Sequence, residues 1–354
     1  MKIKLKYLRL RSSDHCKGTI FLVILGNTIK ELTVIATKRY SSYKKALNIS
    51  ILIVFFLILV GGLVRSTGSG LGCPDWPKCF GQYVPPTHIS ELPLDYKEQF
   101  KVAGKTIADF NPVKTWIEYI NRLVGATTGV VVFVMALLSL KYKEENKKVV
   151  ILSWLTVIAV GFNGWLGAVV VATNLKPVII TLHMLMAVVT IFLLLQARIE
   201  SEDVDFSFYL DKEEGKSLKT IIVLMILLSA IQIILGTQVR EAIDHILPSI
   251  PRQEWISSLG SEFLFHRSFS ILLVLSHIWL FMKVRALDSR HTRIKGWTRL
   301  CIIILGVNIL SGVTLSYGGF PSAVQPPHLL FGLMLACAQY YLYAIVSKSS
   351  ALEV

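Results

Sequence analysis

Residues 47–65 read LNISILIVFFLILVGGLVR, nineteen positions with no charge before the closing arginine. A helix needs about 20 mostly apolar residues to cross a bilayer, so this stretch is a span. Seven more stretches of the same kind follow, at 122–140, 149–172, 178–197, 220–239, 263–285, 299–317 and 327–347. Backbone polar groups in lipid must be satisfied within the segment, which makes such stretches helices. The alternating apolar pattern of a membrane barrel is absent. The expected fold is an all-α membrane protein with eight transmembrane helices.

Composition agrees. Of the 354 residues, 53% are hydrophobic and 17% charged, whereas soluble domains run near 45–50% apolar and about a quarter charged. That excludes an ordinary soluble enzyme and a disordered chain. Five cysteines exclude a scaffold built on disulfides. The run GTIFLVIL at 18–25 is too short to span and is not read as a signal peptide; it reads as a surface-lying segment or an upstream extension.

The net charge of +14 reflects topology. With eight spans both ends share one side, and the segments on that side (1–45, 141–149, 196–219, 283–299 and the tail) hold 26 of the 37 Lys and Arg. Positive residues favour the cytoplasmic face, so both termini are expected in the cytoplasm and lipid is the surrounding partner. No nucleic acid is needed to account for the charge.

An internal repeat orders the chain. Span 1 ends Gly61-Gly62-Leu63-Val64-Arg65 and span 5 ends Gly236-Thr237-Gln238-Val239-Arg240. Arg122, Asn163, Gly167 and His183 recur as Arg267, Asn308, Gly312 and His328 at a constant offset of 145. Identical polar letters at identical spacing across three spans point to two tandem, pseudo-symmetric four-helix bundles. The expected organisation is a basic segment 1–46, a first unit 47–197 with the long outer loop 66–121, a linker 198–219, a second unit 220–347 and a tail 348–354.

The repeat singles out positions 121, 183, 266 and 328, one at the outer start of each even-numbered span. In the second unit both are histidines, His266 and His328. Two imidazoles facing each other across a bundle core are a bis-histidine haem site, although a lone histidine at a helix end is usually just interfacial. His15, His88, His245 and His291 lie in loops and take that plain reading; His277 is unpaired in the repeat and reads as a hydrogen-bonded bundle residue. Arg65, Arg122, Arg240 and Arg267 sit at the helix mouths, where guanidinium suits the two haem propionates; snorkelling to the interface is the alternative. Gly125, Gly129, Gly164, Gly167 and Gly312 fit either close helix packing or the approach of a flat cofactor.

The first unit differs. Asn121 stands where its repeat partner is His266, and Glu118, three residues earlier on the same helical face, aligns with Phe263. An acid facing a cofactor position suits chemistry; a carboxylate at a helix amino end is the alternative. In the outer loop, Cys73 and Cys79 with five residues between them suit a small disulfide on the oxidising side. A metal or redox pair is the other reading, without partner ligands beside it. Cys301 and Cys337 lie in apolar spans as packing residues.

With these residues in place, the chain resembles the haem A synthase family over 47–347. The stretch GGLVRSTGSGLGCPDWPKC at 61–79, then Glu118…Asn121-Arg122, His183, His266-Arg267 and Gln325-Pro326-Pro327-His328 carry the resemblance in order. It implies an enzyme that oxidises the C8 methyl of haem O to a formyl group, giving haem A for cytochrome oxidase. It implies haem b on His266 and His328, with Arg240 and Arg267 beside it. The substrate haem belongs to the first unit, with His183, Asn121, Arg65 and Arg122, a catalytic Glu118 and the Cys73–Cys79 pair. The familiar pattern has His at position 121, so here His183 alone is expected to hold the substrate iron and the Asn121 side to stay open. Successive hydroxylations would then give a geminal diol that loses water, with Glu118 handling protons.

Delivery of haem O by haem O synthase, a quinol or other electron donor, and a homo-oligomer are compatible partners. A bacterial cytoplasmic membrane is the expected location, ahead of a mitochondrial inner membrane. Two rivals are a bis-haem electron-transfer cytochrome, which would want histidine at 121, and a transporter, which would favour inverted repeats and charges at mid-membrane.

Overall fold

The computed structural model describes residues 15–202, 210–246, 250–251 and 254–349. The outer parts of the basic amino-terminal segment and tail, 1–14 and 350–354, and 203–209 of the linker lie outside the described residues. Nine α-helices occur among those described: α1 (His15–Ser66), α2 (Tyr96–Gln99), α3 (Pro112–Ser139), α4 (Lys147–Ala172), α5 (Pro177–Glu200), α6 (Lys212–Ile246), α7 (Ser261–Ala286), α8 (Thr292–Tyr317) and α9 (Gln325–Ser349). All but the short α2 include a stretch long and apolar enough to cross a membrane, Tyr40–Ser66 in the case of α1. The chain is an all-helical, multi-pass membrane protein. The apolar run 18–25 lies within α1 rather than forming a separate segment.

Several helices begin earlier than hydropathy predicts. The span expected from 122 starts at Pro112, where the Asn111 side chain accepts the Lys114 N–H at 3.1 Å. Proline at the first helical position and asparagine at the cap are the ordinary start signals; the polar residues between hid the start. The loop expected over 66–121 therefore ends at 111, and Glu118 sits in the second turn of α3. Pro177 is likewise the first residue of α5, one position before the expected start and without a side-chain cap. As a result Asn121, His183, His266 and His328 lie about one to three turns inside their helices, not at the first residue.

Helix α1 packs on α3 and α5, and α4 lies against α3 and α5. Likewise α6 packs on α7 and α9, and α8 lies against α7 and α9. The two sets meet where α9 touches α1 and α5. A Cβ on Gly62 would stand 3.1 Å from Pro326 Cβ, so α1 and α9 approach closely at that point.

Away from loop 67–111 each set has an apolar core. One is built on Tyr43, Leu47, Val132, Met135, Ile191 and Leu194, the other on Ile222, Met225, Leu280, Leu342 and Val346. The outward faces carry large apolar side chains, among them Leu52, Val130, Ile158, Ile271 and Ile303. In water such a surface would be a liability; in a bilayer it is the solvent-matched face.

Candidate functional site

Each of the four repeat positions lies over a glycine of a neighbouring helix. A Cβ built on Gly236 of α6 would stand 3.1 Å from His266 Cε1, and one on Gly312 of α8 3.2 Å from His328 Cε1. Gly167 of α4 does the same for His183 Cε1 at 3.4 Å, and Gly61 of α1 faces Asn121 Oδ1 at 3.8 Å. Lacking a side chain, each glycine lets an imidazole or amide lie against the helix backbone.

His266 and His328 face each other with ring centroids 6.3 Å apart and planes at 76°. Metal–imidazole bonds of about 2 Å place two rings on opposite sides of one ion with centroids roughly 6 Å apart, so the pair fits an iron between them. Both rings are held by their Nδ1 edges. His328 Nδ1 lies 2.8 Å from Ser311 Oγ and 3.1 Å from the Asn308 carbonyl; His266 Nδ1 lies 3.3 Å from the Gln232 amide, which also donates to the His266 carbonyl at 2.9 Å. No hydrogen bond among the described residues reaches Nε2 of either ring, and for His328 the Asn308 carbonyl accepts only from Nδ1–H, which leaves Nε2 unprotonated for a metal. In the first set His183 Nδ1 is buried without a hydrogen-bond partner among the described residues, whereas Nδ1 of its repeat partner His328 lies against the Asn308 carbonyl. Oδ1 of Asn121, Asn163 and Asn308 and Oε1 of Gln232 are buried without a protein partner. Native proteins leave few such groups, and their clustering beside these histidines marks polar sites within the helix bundle.

Glu118 is 3% exposed. Its Oε2 accepts the Cys73 N–H at 2.9 Å and its Oε1 pairs with Arg122 Nη2 at 2.5 Å. Arg122 also donates to three loop carbonyls, those of Cys73, Asp75 and Lys78, at 2.6–2.9 Å. Arg122, expected beside a propionate, clamps the loop with both terminal nitrogens. Cys73 and Cys79 are joined in a disulfide, which removes the metal reading of that pair. Among the described residues no group of three or more His, Cys, Asp or Glu is placed to hold an ion by side chains alone. Gly72 is obligatory here: a Cβ would come within 2.5 Å of the Lys114 carbonyl oxygen.

The equivalent turn of α7 is built differently. Arg267 lies over the Phe263 ring at 5.7 Å, a cation–π contact in place of the Glu118–Arg122 ion pair. The other two arginines, Arg65 and Arg240, converge on Asp244, a residue that repeat reasoning missed because it has no counterpart in the first set. Its signal was the i,i+4 spacing from Arg240 on one helix.

The family model of COX15-CtaA, described as cytochrome oxidase assembly protein, matches residues 44–340. The chain belongs to this cytochrome oxidase assembly family. Proteins named "Heme A synthase" match along nearly the whole chain. The one from Alkalihalophilus pseudofirmus is 24% identical over 88% of this chain and 99% of its own length, and that from Halalkalibacterium halodurans 26% over 83% and 94%. The one from Shewanella oneidensis is 32% identical over 43% of this chain, and the match spans 44% of that protein. The family match contains all the site residues described above. Chemically, the chain offers two facing histidines spaced as a metal ion would need, a third histidine seated on its own glycine, and a buried carboxylate tied to a disulfide loop.

Proposed function

We propose that this chain makes haem A for cytochrome oxidase by oxidising the C8 methyl of haem O to a formyl group. Membership of the family and the names of the full-length relatives support the reaction. The observation that carries the site assignment is the His266–His328 pair, 6.3 Å between ring centroids, each ring seated on a glycine.

His266 and His328 would hold haem b, with Arg240 and Arg267 placed to orient its propionates, and a haem held by two histidines would supply electron relay rather than oxygen chemistry. In the first unit His183 holds the iron of haem O, and Asn121, a poor iron ligand, leaves the other face open. Arg65 takes a propionate, while Arg122 keeps the disulfide loop closed over the site. Glu118 holds and moves the proton, buried enough for its protonation to respond to the site and fixed by the Cys73 N–H. The protein sits in a bacterial cytoplasmic membrane with both termini inside, taking haem O from haem O synthase and electrons from a quinol or another donor.

The test is expression in a host that supplies haem O, followed by extraction and chromatography of the haems. Haem A should accumulate only when the chain is present. A bis-haem electron carrier would leave haem b and unconverted haem O with no haem A, and that result would sink the proposal. Replacing His266 or His328 with Ala should abolish the low-spin haem spectrum, and a normal spectrum in either variant would remove that residue as a ligand.

A further inference from the structure

Arg65 is the penultimate residue of α1 and Arg240 lies near the end of α6, and a single carboxylate joins them. Asp244 Oδ1 accepts from Arg240 Nη2 at 2.7 Å and Oδ2 from Arg65 Nη2 at 3.0 Å. Arg240 Nη2 also lies 3.4 Å from the Arg65 carbonyl. The bridge exists because the repeat breaks here. Helix α1 stops at Ser66 and turns at Gly68, where φ is +64°, whereas α6 continues past Arg240 to Ile246. The extra turn carries Asp244 across to the other half.

Each arginine reaches toward one proposed haem. Arg65 Nη1 lies 3.9 Å from the sulfur of Met184, the residue after His183. Arg240 Nη1 donates to Gln325 Oε1 at 2.8 Å, three residues before His328. A thioether is a weak acceptor, and Arg65 Nε is buried without a protein partner. Arg65 therefore keeps donor capacity on the first-unit side that a carboxylate would satisfy.

We propose that Asp244 is a positioning residue that couples occupancy of the first-unit haem site to the redox potential of the second-unit haem. The inference rests on the haem-binding reading above. Before substrate arrives, Asp244 divides its charge between two guanidiniums. A propionate arriving at Arg65 brings its own negative charge and takes over that guanidinium. Asp244 then leans on Arg240 alone. Positive charge near the second haem falls, which disfavours the more negative ferrous state and lowers the midpoint potential. Haem b becomes the better electron donor when substrate is in place.

The test uses the haem-b-loaded protein and zinc protoporphyrin, a redox-silent porphyrin with two propionates that takes one axial ligand. Spectroelectrochemical titration should show the low-spin haem midpoint falling when zinc protoporphyrin saturates the first site, and no fall with its dimethyl ester. In Asp244→Asn the fall should be lost or reduced, and Asp244→Glu should restore it. Arg65→Gln, which cuts the other end of the bridge, should lose it as well. The same fall in Asp244→Asn or Arg65→Gln as in the native protein overturns the inference, as does an equal fall with the ester. Zinc protoporphyrin failing to bind would overturn it together with the first-unit haem site. A native protein with no low-spin haem would instead overturn the second-unit assignment on which it rests.

Discussion

Glu118 accepts the backbone N–H of Cys73 at 2.9 Å, so the candidate catalytic acid is bonded directly to one end of the disulfide loop. The other carboxylate oxygen pairs with Arg122, which in turn holds three carbonyls of the same loop. One buried cluster thus does two things: it closes the loop over the first unit and fixes a titratable group beneath it. In the second unit, Phe263 and Arg267 hold the matching positions with no carboxylate. On the proposed reading, that difference separates the half that performs the chemistry from the half that relays electrons.

Glu118→Gln separates the two roles. The amide oxygen can still accept the Cys73 N–H, and Arg122 keeps its three carbonyls, so the loop should stay closed. Proton handling is lost. Since positioned acid–base groups contribute about 10²–10⁴-fold, haem A yield at matched protein level should drop by about a hundredfold or more. The spectrum of the second-unit haem should be unchanged. Full haem A production would leave Glu118 as a loop clamp only.

The glycine cradles predict an order of effects. Ala at Gly236 or Gly312 would place a Cβ 3.1 or 3.2 Å from an imidazole carbon, tighter than ordinary packing, and Gly167 is more tolerant at 3.4 Å. Overpacking of this kind costs about 1–3 kcal/mol, which is roughly a 5- to 150-fold loss of haem retention. Gly306, with nothing within 4 Å, is the control. Haem content of purified Gly236→Ala, Gly312→Ala and Gly306→Ala proteins checks it: the first two should lose haem and the third should not.

The disulfide makes a labelling prediction. Cys73 and Cys79 are both buried and bonded to each other. Under denaturing, non-reducing conditions neither should take up a maleimide, and reduction should expose both. Labelling of the pair without reductant, in protein kept oxidised throughout, would contradict the bond.

The eight spans were legible because apolar runs such as 299–317 need no partner to be recognised. The helix starts were less so, since Pro112 and Asn111 begin α3 through capping while the residues that follow are polar. The repeat exposed His183, His266 and His328, and it also contained Gly61, Gly167, Gly236 and Gly312. Only the packing of the helices brings each glycine under one repeat side chain. Contacts between distant segments left no trace in the pattern. Nothing near residue 118 announces that Cys73, 45 positions away, donates its N–H to it. Arg122 looked like its repeat partner Arg267, yet loop 67–111, longer in the first half, supplied the carbonyls that captured it.

Asn121→His tests the open face of the first site. Asn121 occupies the position of His266 in the repeat, and its Oδ1 faces Gly61 as His266 faces Gly236. The gap at Gly61 is the widest of the four, 3.8 Å against 3.1 Å, so a larger imidazole has room to seat there. The buried Asn121 Oδ1 has no protein partner, so its removal breaks no hydrogen bond within the chain. A histidine there should add a second axial bond opposite His183 and convert the first-unit haem to the low-spin, six-coordinate form. Electron paramagnetic resonance of the haem-O-loaded variant would show a second low-spin ferric signal beside that of the His266–His328 site. A high-spin first-unit signal identical to the native one would mean that position 121 does not face the iron, and the one-histidine description of the substrate site would have to be abandoned.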